Sequence, residues 1–440
     1  MIAVVVSRAD SASVHIGERL LELGEWEELT DESRPDEAGG GTYYRRGEFE
    51  LREFDALHLE LDGVADAFSE PPAFVAFVSR HSGDTGPLLT AHFTGNFGPA
   101  EYGGESGAFA RACPNAQKAV VEAFDRHAPD GYEVGIECTH HGPTDVGAPA
   151  MFVELGSDEE AWADPDGARA VARAVLDLSG VAADRDRHLV GFGGGHYAPR
   201  FERIVRETDW AVGHVGADWP LDAMGSPAAN RDVLRRAFEA SAAEYAVVEG
   251  DRPELVETLA SLGYRVVSET WVVESEGVAA DRLETLEADL SPVEEGLRLG
   301  ADADADDYAV VSLPDDLLVE AAGIDLDAAR EAVHANAVAY ETREGGTKAS
   351  GRAAVADEDR YDAVVDALAA ILREKYDEVR RERTAVVATR QSFDAAAAAE
   401  LGVPEGPAFG KLSAGRSVEV EGREVTPADV RSEETVAFKI

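Results

Sequence analysis

Short apolar runs alternate with amphipathic stretches over residues 1–275. The runs stand at 2–6 (IAVVV), 73–79 (AFVAFVS), 88–93 (LLTAHF), 133–138 (EVGIEC), 150–155 (AMFVEL), 188–192 (HLVGF), 210–215 (WAVGHV), 245–249 (YAVVE) and 264–273. Runs bounded by polar and glycine-rich segments predict strands. Between them the apolar period lengthens. NAQKAVVEAFDRH at 115–127 puts Ala119, Val120, Ala123 and Phe124 on one helical face. PDGARAVARAVLDLSG at 165–180 ends on a glycine suited to a helix C-terminus, and NRDVLRRAFEASAAE at 230–244 opens on an asparagine suited to an N-cap. Strand then helix, repeated, predicts an α/β fold with a mixed, largely parallel central sheet flanked by helices.

The pattern changes near residue 275. Residues 276–307 are rich in Glu, Asp and Ala, with DADADD at 302–307, and read as an acidic linker between a first domain at 1–275 and a smaller α+β domain at 308–440. The second domain has one long helical pattern at 359–383 and a β-rich end at 415–430. No internal repeat is visible.

Charge adds a setting. The chain has 440 residues, with 40 basic against 87 acidic ones and a net charge of -47. The acid is spread throughout, and hydrophobic residues still make up 45%, so disorder does not explain it. A folded protein in molar salt does: at about 1 M the Debye length is roughly 3 Å and surface repulsion is screened. A nucleic-acid partner is therefore not excluded, but its binding must rest on local contacts. Two cysteines, Cys113 and Cys138, are too few for a disulfide framework. The N-terminus has no basic signal region, and no stretch reaches the roughly 20 apolar residues of a membrane span. The expectation is a soluble cytoplasmic protein, and without an interface pattern, a monomer.

Candidate chemistry lies in the loops after the strands. ECTHHGPT (137–144) brings Glu137, Cys138, Thr139, His140 and His141 to a strand end, where open parallel sheets bind ligands. GFGGGHYAPRF (191–201) follows another strand. Gly193, Gly194 and Gly195 allow close backbone approach, with His196, Tyr197 and Arg200 next. This is neither a phosphate-binding P-loop nor a dinucleotide fingerprint; a plain tight turn is its bland alternative. HFTGNFG (92–98) adds His92, Thr94 and Asn96, and GHVGADWP (213–220) adds His214. His81 in SRHSGD is intermediate. Histidines with Glu137, Cys138 or Glu154 suit zinc, although no closed structural motif and no HExxH are present. One mechanism is metal-assisted hydrolysis. The other uses a histidine as general base, with backbone N–H groups of the glycine loop holding an oxyanion.

TGNFG (94–98), ECTHHGPT, FVELGSDEEAW (152–162), GFGGGHYAPRF and GHV (213–215) occur in an order that resembles the archaeal and plant D-aminoacyl-tRNA deacylases, as does the opening IAVVVSRADSAS. The resemblance spans about residues 1–275. It implies hydrolysis of the ester between a D-amino acid and the tRNA 3′ adenosine, as proofreading of mischarged tRNA. It also implies zinc, two ions per subunit, and a fold similar to peptidyl-tRNA hydrolases and nucleoside phosphorylases. His140, His141 and His196 stand inside matching motifs and are the expected centre, with Thr139 beside them. Asn96, Gly193–Gly195, Tyr197 and Arg200 are expected on the substrate, the glycines as a main-chain wall that selects chirality. The metal is expected on Glu137, Cys138, His140, His141, His92 and His214. The tail at 401–427 resembles a segment of RNase Z-type tRNA 3′ endonucleases, with Lys411 and Arg416 as phosphate contacts. Two rival readings are another metal-dependent hydrolase of small esters, amides or nucleosides, and a tRNA-binding protein without catalysis.

Overall fold

The first apolar run forms β1 (Ile2–Ser7), buried along its whole length. Ile2, Val4 and Val6 enter one core and Ala3 and Val5 another, so both faces of the strand are covered. That is why the run is continuous rather than alternating. The computed structural model describes residues 1–440, in two compact units, Met1–Glu276 and Gly277–Ile440.

In the first unit β1 is followed by α1 (Ser11–Glu22), β2 (Glu27–Asp31), β3 (Gly41–Arg46), β4 (Phe49–Phe54), β5 (Phe74–Arg80), β6 (Leu88–His92), α2 (Pro114–His127), β7 (Glu133–Ile136), β8 (Ala150–Gly156), α3 (Glu159–Trp162) and α4 (Pro165–Leu176). Next come β9 (His188–Phe192), α5 (Pro199–Glu207), β10 (Ala211–Gly216), α6 (Asp218–Met224), α7 (Arg231–Ser241), β11 (Tyr245–Val248), α8 (Pro253–Ser261), β12 (Arg265–Val267) and α9 (Glu269–Glu274). Eight strands form a sheet in the order β2-β3-β4-β1-β5-β8-β6-β7, and β10-β9-β11-β12 form a second. The second is wholly parallel. In the first, β1 runs parallel to β4 and β5, and β5 to β8. Apolar faces of α1, α2 and α4 pack on one side through Ile16, Leu20, Val120, Phe124, Val171 and Val175. The mixed, largely parallel α/β expectation holds.

Several expectations fail locally. β2, β3 and β4 were not predicted: EELTD and GTYYRR are largely polar, and β2 lies at a sheet edge where one row of side chains meets solvent. The strand expected at 264–273 stops at Val267. Ser268 Oγ accepts the Trp271 N–H (3.0 Å) and caps α9, and Trp271 is buried against Trp210 and Tyr245. Asn230 precedes α7, but its amide donates to the carbonyls of Met224 and Ser226 instead of capping.

The second unit contains α10 (Ala280–Asp289), β13 (Leu297–Leu299), β14 (Ala309–Ser312), α11 (Asp315–Ile324), α12 (Leu326–His334), β15 (Ala339–Arg343), β16 (Lys348–Val355), α13 (Glu358–Leu372), β17 (Glu378–Arg381), β18 (Ala385–Phe393), α14 (Ala395–Glu400), α15 (Pro407–Ser413), β19 (Val418–Val420), β20 (Arg423–Val425) and β21 (Arg431–Lys439). Its sheets are antiparallel: β13-β15-β16-β14, β17-β18-β21 and the β19–β20 hairpin. The acidic segment 276–307 is no linker. α10 buries Leu283 and Leu286, and β13 pairs with β15, leaving the acid on the outside. The long helix expected at 359–383 ends at Leu372. Arg380 and Arg381 lie on β17, paired with Val387 and Val386, because strand pairing outweighs the helical propensity of the segment.

Candidate active site

Glu154 stands near the C-terminal end of β8 and is the pivot of the site. β5 runs parallel to β8, with Arg80 opposite Leu155, whereas β6 runs antiparallel, with His92 opposite Phe152. The ends of β5 and β6 therefore approach Glu154 from opposite directions. His81, just past β5, places Nδ1 3.5 Å from Glu154 Oε2, and His92 places Nε2 3.5 Å from Oε1. β7 lies parallel to β6 with Ile136 opposite Ala91, so Glu137 falls beside His92. The loop after β7 is then fixed to the second sheet: the Cys138 N–H donates to the His196 carbonyl (2.7 Å) and the Thr139 N–H to that of Val215 (2.8 Å).

His81, Glu137, His140, His141, Glu154 and His196 line a cleft of about 720 Å³. His196 Nε2 is 2.7 Å from Glu137 Oε2, and His81 Nδ1 is 3.1 Å from Oε1. Burial opposes ionisation of Glu137 and Glu154. Hydrogen bonds from His196 and His81 nevertheless hold Glu137 well below the usual carboxylate range, and those from His81 and His92 hold Glu154 at about 2. Burial likewise opposes the charge on His81, but the two carboxylates raise its pKa to about 10. Ser79 Oγ donates to Glu154 Oε1 (2.8 Å).

Three histidines turn Nδ1 to a backbone carbonyl. Nδ1 of His92, His140 and His141 faces the carbonyl of Phe93, Cys138 and Gly142, at 3.1, 2.8 and 2.7 Å. A carbonyl only accepts, so Nδ1 of His140 and His141 carries the proton and each Nε2 keeps a lone pair. His92 instead turns Nε2 to Glu154, and against the cost of burial that carboxylate raises its pKa. Burial lowers the pKa of His140 to about 4 and that of His141 well below the ordinary value. The rings stack or cross, with centroids 4.3 Å apart for His92 and His140 and 4.5 Å for His140 and His141.

Three groups bring donor atoms within 4.8 Å of one another: His92, His140 and His141; Cys138, His140 and His196; and His81, Glu137 and Glu154. Two buried atoms here each face an oppositely charged group: His92 Nε2 lies 3.5 Å from Glu154 Oε1, and Glu137 Oε1 lies 3.1 Å from His81 Nδ1. Two neutral imidazoles with fixed tautomers, two ionised carboxylates and further buried histidines, with donor atoms grouped this closely, are the makings of a divalent-metal centre. Burial, reinforced by the charge of Glu137, pushes the Cys138 thiol up to about 12, so without a cation it stays protonated.

Other expected residues are placed differently. His214 is fully buried outside the donor groups. The Thr139 hydroxyl, which accepts the Val215 N–H, donates to its Nδ1 (3.0 Å), and its Nε2 faces the Ala110 carbonyl (2.9 Å). Both nitrogens are spent, so His214 is no metal ligand, and the hydroxyl of Thr139, though its residue lines the cleft, braces the loop. Gly193, Gly194 and Gly195 do not line the cleft. The Gly193 N–H donates to the Gly216 carbonyl and the Gly194 N–H to Asp218 Oδ1 (2.9 Å), so neither serves an oxyanion or forms a wall against substrate. Arg200 is held by Glu269 (3.1 Å) and Glu249 (3.6 Å). Tyr197 Oη lies 3.3 Å from His81 Nε2. Asn96 lines the cleft, but its amide donates to the carbonyls of Gly103 and Glu105. Lys411 and Arg416 are exposed residues of the second unit. His81 deserved more weight in the sequence: SRH follows an apolar strand as HF and ECTHH do.

The fold and site define a mixed α/β protein with a buried His/Glu/Cys centre at the bottom of an open cleft. The sequence profile of the D-aminoacyl-tRNA deacylases matches residues 68–267. A D-aminoacyl-tRNA deacylase of Halorubrum lacusprofundi is 56% identical, covering 100% of this chain and 97% of its own length. One from Natronomonas pharaonis is 56% identical over 98% of each chain, and one from Methanococcoides burtonii 30% identical over 97% and 94%. This chain belongs to the D-aminoacyl-tRNA deacylase family. A crystal structure of a conserved protein of unknown function matches with a TM-score of 0.55 at 28% identity, covering 63% of this chain and 99% of its own. The two halophilic relatives fit the acidic composition. No helix is long and apolar enough to cross a membrane.

Proposed function

We propose that this chain hydrolyses the ester between a D-amino acid and the 3′ adenosine of tRNA, adding water to release the amino acid and intact tRNA. One observation carries the reading: three groups of His, Glu and Cys donor atoms converge at one cleft of a chain from this family. Zinc suits the mixture of imidazole, thiol and carboxylate. His92, His140 and His141 would hold one ion, and His81, Glu137 and Glu154 a second. The Cys138 group needs the same His140 Nε2, so it competes with the first group rather than adding a third ion. When bound, zinc supplies Lewis acidity toward the ester carbonyl and water.

The chain's own residues do the rest. Protonated His81 occupies the place of a cation between two buried carboxylates; as a ligand to a metal there it would have to be neutral. His196, a third exposed, bonds Glu137 through Nε2 (2.7 Å) and reaches the Cys138 sulfur through Nδ1 (3.7 Å), so it orients the carboxylate and the thiol at the mouth of the donor set. Lys411 and Arg416 have no carboxylate partner and are kept as candidate tRNA phosphate contacts. The rival small-substrate hydrolase and the non-catalytic binder lack support from the family.

The test is deacylation of D-tyrosyl- and L-tyrosyl-tRNA in about 2–3 M KCl, where surface charge is screened, with and without a chelator. Release of D-tyrosine only, lost on chelation and restored by zinc, is expected. Release from neither tRNA by folded protein overturns the reading, and turnover that survives chelation removes the metal from it.

A further inference from the structure

Two of the most exposed aromatic side chains on the molecule stand at the same cleft. Tyr102 is 66% and Trp219 51% exposed, and both line it. Neither is on a loose segment. The Tyr102 carbonyl accepts the Gly142 N–H (2.9 Å), directly after His141. Asn96 holds the following turn through the Gly103 and Glu105 carbonyls. Gly142 packs so tightly here that a Cβ would lie 2.4 Å from Gly103 and Gly104 backbone atoms. Trp219 is the second residue of α6, and its side chain adjoins the Cys138 thiol, which belongs to one of the donor groups. The two segments meet where a Cβ on Gly98 would come within 2.9 Å of the Ala223 methyl.

The charge of the cleft narrows what these rings can receive. Arg80 and protonated His81 stand among its lining residues against Asp10, Glu101, Glu137 and Glu154, and His81 is already taken by two of these carboxylates. A chain of net charge -47 also repels phosphate at low salt. The group next to the scissile bond must therefore be recognised as a flat, uncharged ring. Stacking on aromatic side chains provides this and tolerates molar salt, unlike phosphate contacts. The Trp219 side chain adjoins Cys138 and the Tyr102 backbone adjoins Gly142 after His141, so a base stacked on these rings would leave its ribose facing the donor groups.

We propose, on the reading of function given above, that Trp219 and Tyr102 form the subsite for the adenine of the 3′-terminal nucleoside, held by stacking. This gives Asn96 its role: it positions the loop that carries Tyr102.

The experiment compares three substrates in high KCl: D-tyrosyl-tRNA, 3′-O-(D-tyrosyl)adenosine and D-tyrosine ethyl ester. W219A and Y102A should each raise KM for the two adenosine esters roughly tenfold, the scale of one lost stacking contact. W219F and Y102F should recover most of it. The loss on the ethyl ester, which has no base to stack, should be far smaller. Equal losses on all three would mean that Trp219 acts only through Cys138, and overturn the proposal, as would no loss on any. Titration of the protein with adenosine gives a second readout. Quenching of tryptophan fluorescence should be present in the wild type and largely absent in W219F; equal quenching in both counts against the subsite. Failure of the wild type on D-tyrosyl-tRNA would refute the function itself, while adenosine quenching still decides the subsite.

Discussion

Ser79 and His214 separate two kinds of buried polar residue. Ser79 supports the donor set, since its hydroxyl fixes one oxygen of Glu154. Ser79→Ala should weaken metal retention and activity by about 10-fold, the scale of a lost supporting hydrogen bond; metal content after dialysis against graded chelator reads it. His214 serves the fold. Burial lowers its pKa to about 4. The folded chain thus keeps it neutral while the unfolded chain protonates it near 6.5. Its contribution is complete above about pH 6.5 and is lost as pH falls through the window to about 4, amounting to about 3 kcal/mol. His214→Gln, with no ring to titrate, should flatten that part of the stability–pH curve. Urea midpoints at pH 5.5 and 8 in high KCl check this: the gap should shrink in the variant, and an unchanged gap disproves the assignment. The sequence cannot separate His214 from His140. Both stand at the end of an apolar run, His214 within β10 and His140 in the loop after β7, and only the positions of Thr139 and Ala110 consume both nitrogens of the former.

At the scale of elements, the turn between β9 and α5 carries His196 into the site. Gly193 has φ +93°, and a Cβ there would meet the Glu249 carbonyl oxygen at 2.4 Å. Gly193→Ala should cost about 2 kcal/mol or more in stability. It should also lower activity, because the His196 carbonyl that anchors Cys138 lies three residues on. Denaturation midpoints together with deacylation rates test this; a variant of wild-type stability would show that the turn relaxes. The glycines were legible as a backbone requirement, but their reason was not. It lies in Glu249 and Asp218, far along the sequence and brought close only by β11 and α6. The acidic stretch 276–307 carries the same lesson: composition describes its outward face, whereas pairing of β13 with β15 makes it structure.

For the whole molecule, the charge of -47 is the controlling quantity. Lowering KCl from about 3 M to about 0.1 M lengthens the Debye length from below roughly 3 Å to about 10 Å and restores repulsion between carboxylates. Tm should drop on the order of 10 °C, a loss of a few kcal/mol. Circular-dichroism melting over a KCl series reads it. A Tm independent of salt would mean that the acid is neutralised internally.

Much of this was written locally. Apolar runs such as IAVVV and AFVAFVS determined the strands, because a strand covered on both faces needs continuous hydrophobicity. ECTHHGPT determined that a histidine-rich loop would end one of them, and the acidic excess determined the salt regime. What the sequence by itself did not determine was direction. That β6 opposes β8 while β5 follows it depends on hydrogen-bond register between distant segments, and this is what sets His81, His92 and Glu137 around Glu154. Tertiary structure alone decided which strand-end histidines keep a lone pair for a metal and which spend both nitrogens on the fold, because a ring's free nitrogen depends on the partner packed against the other.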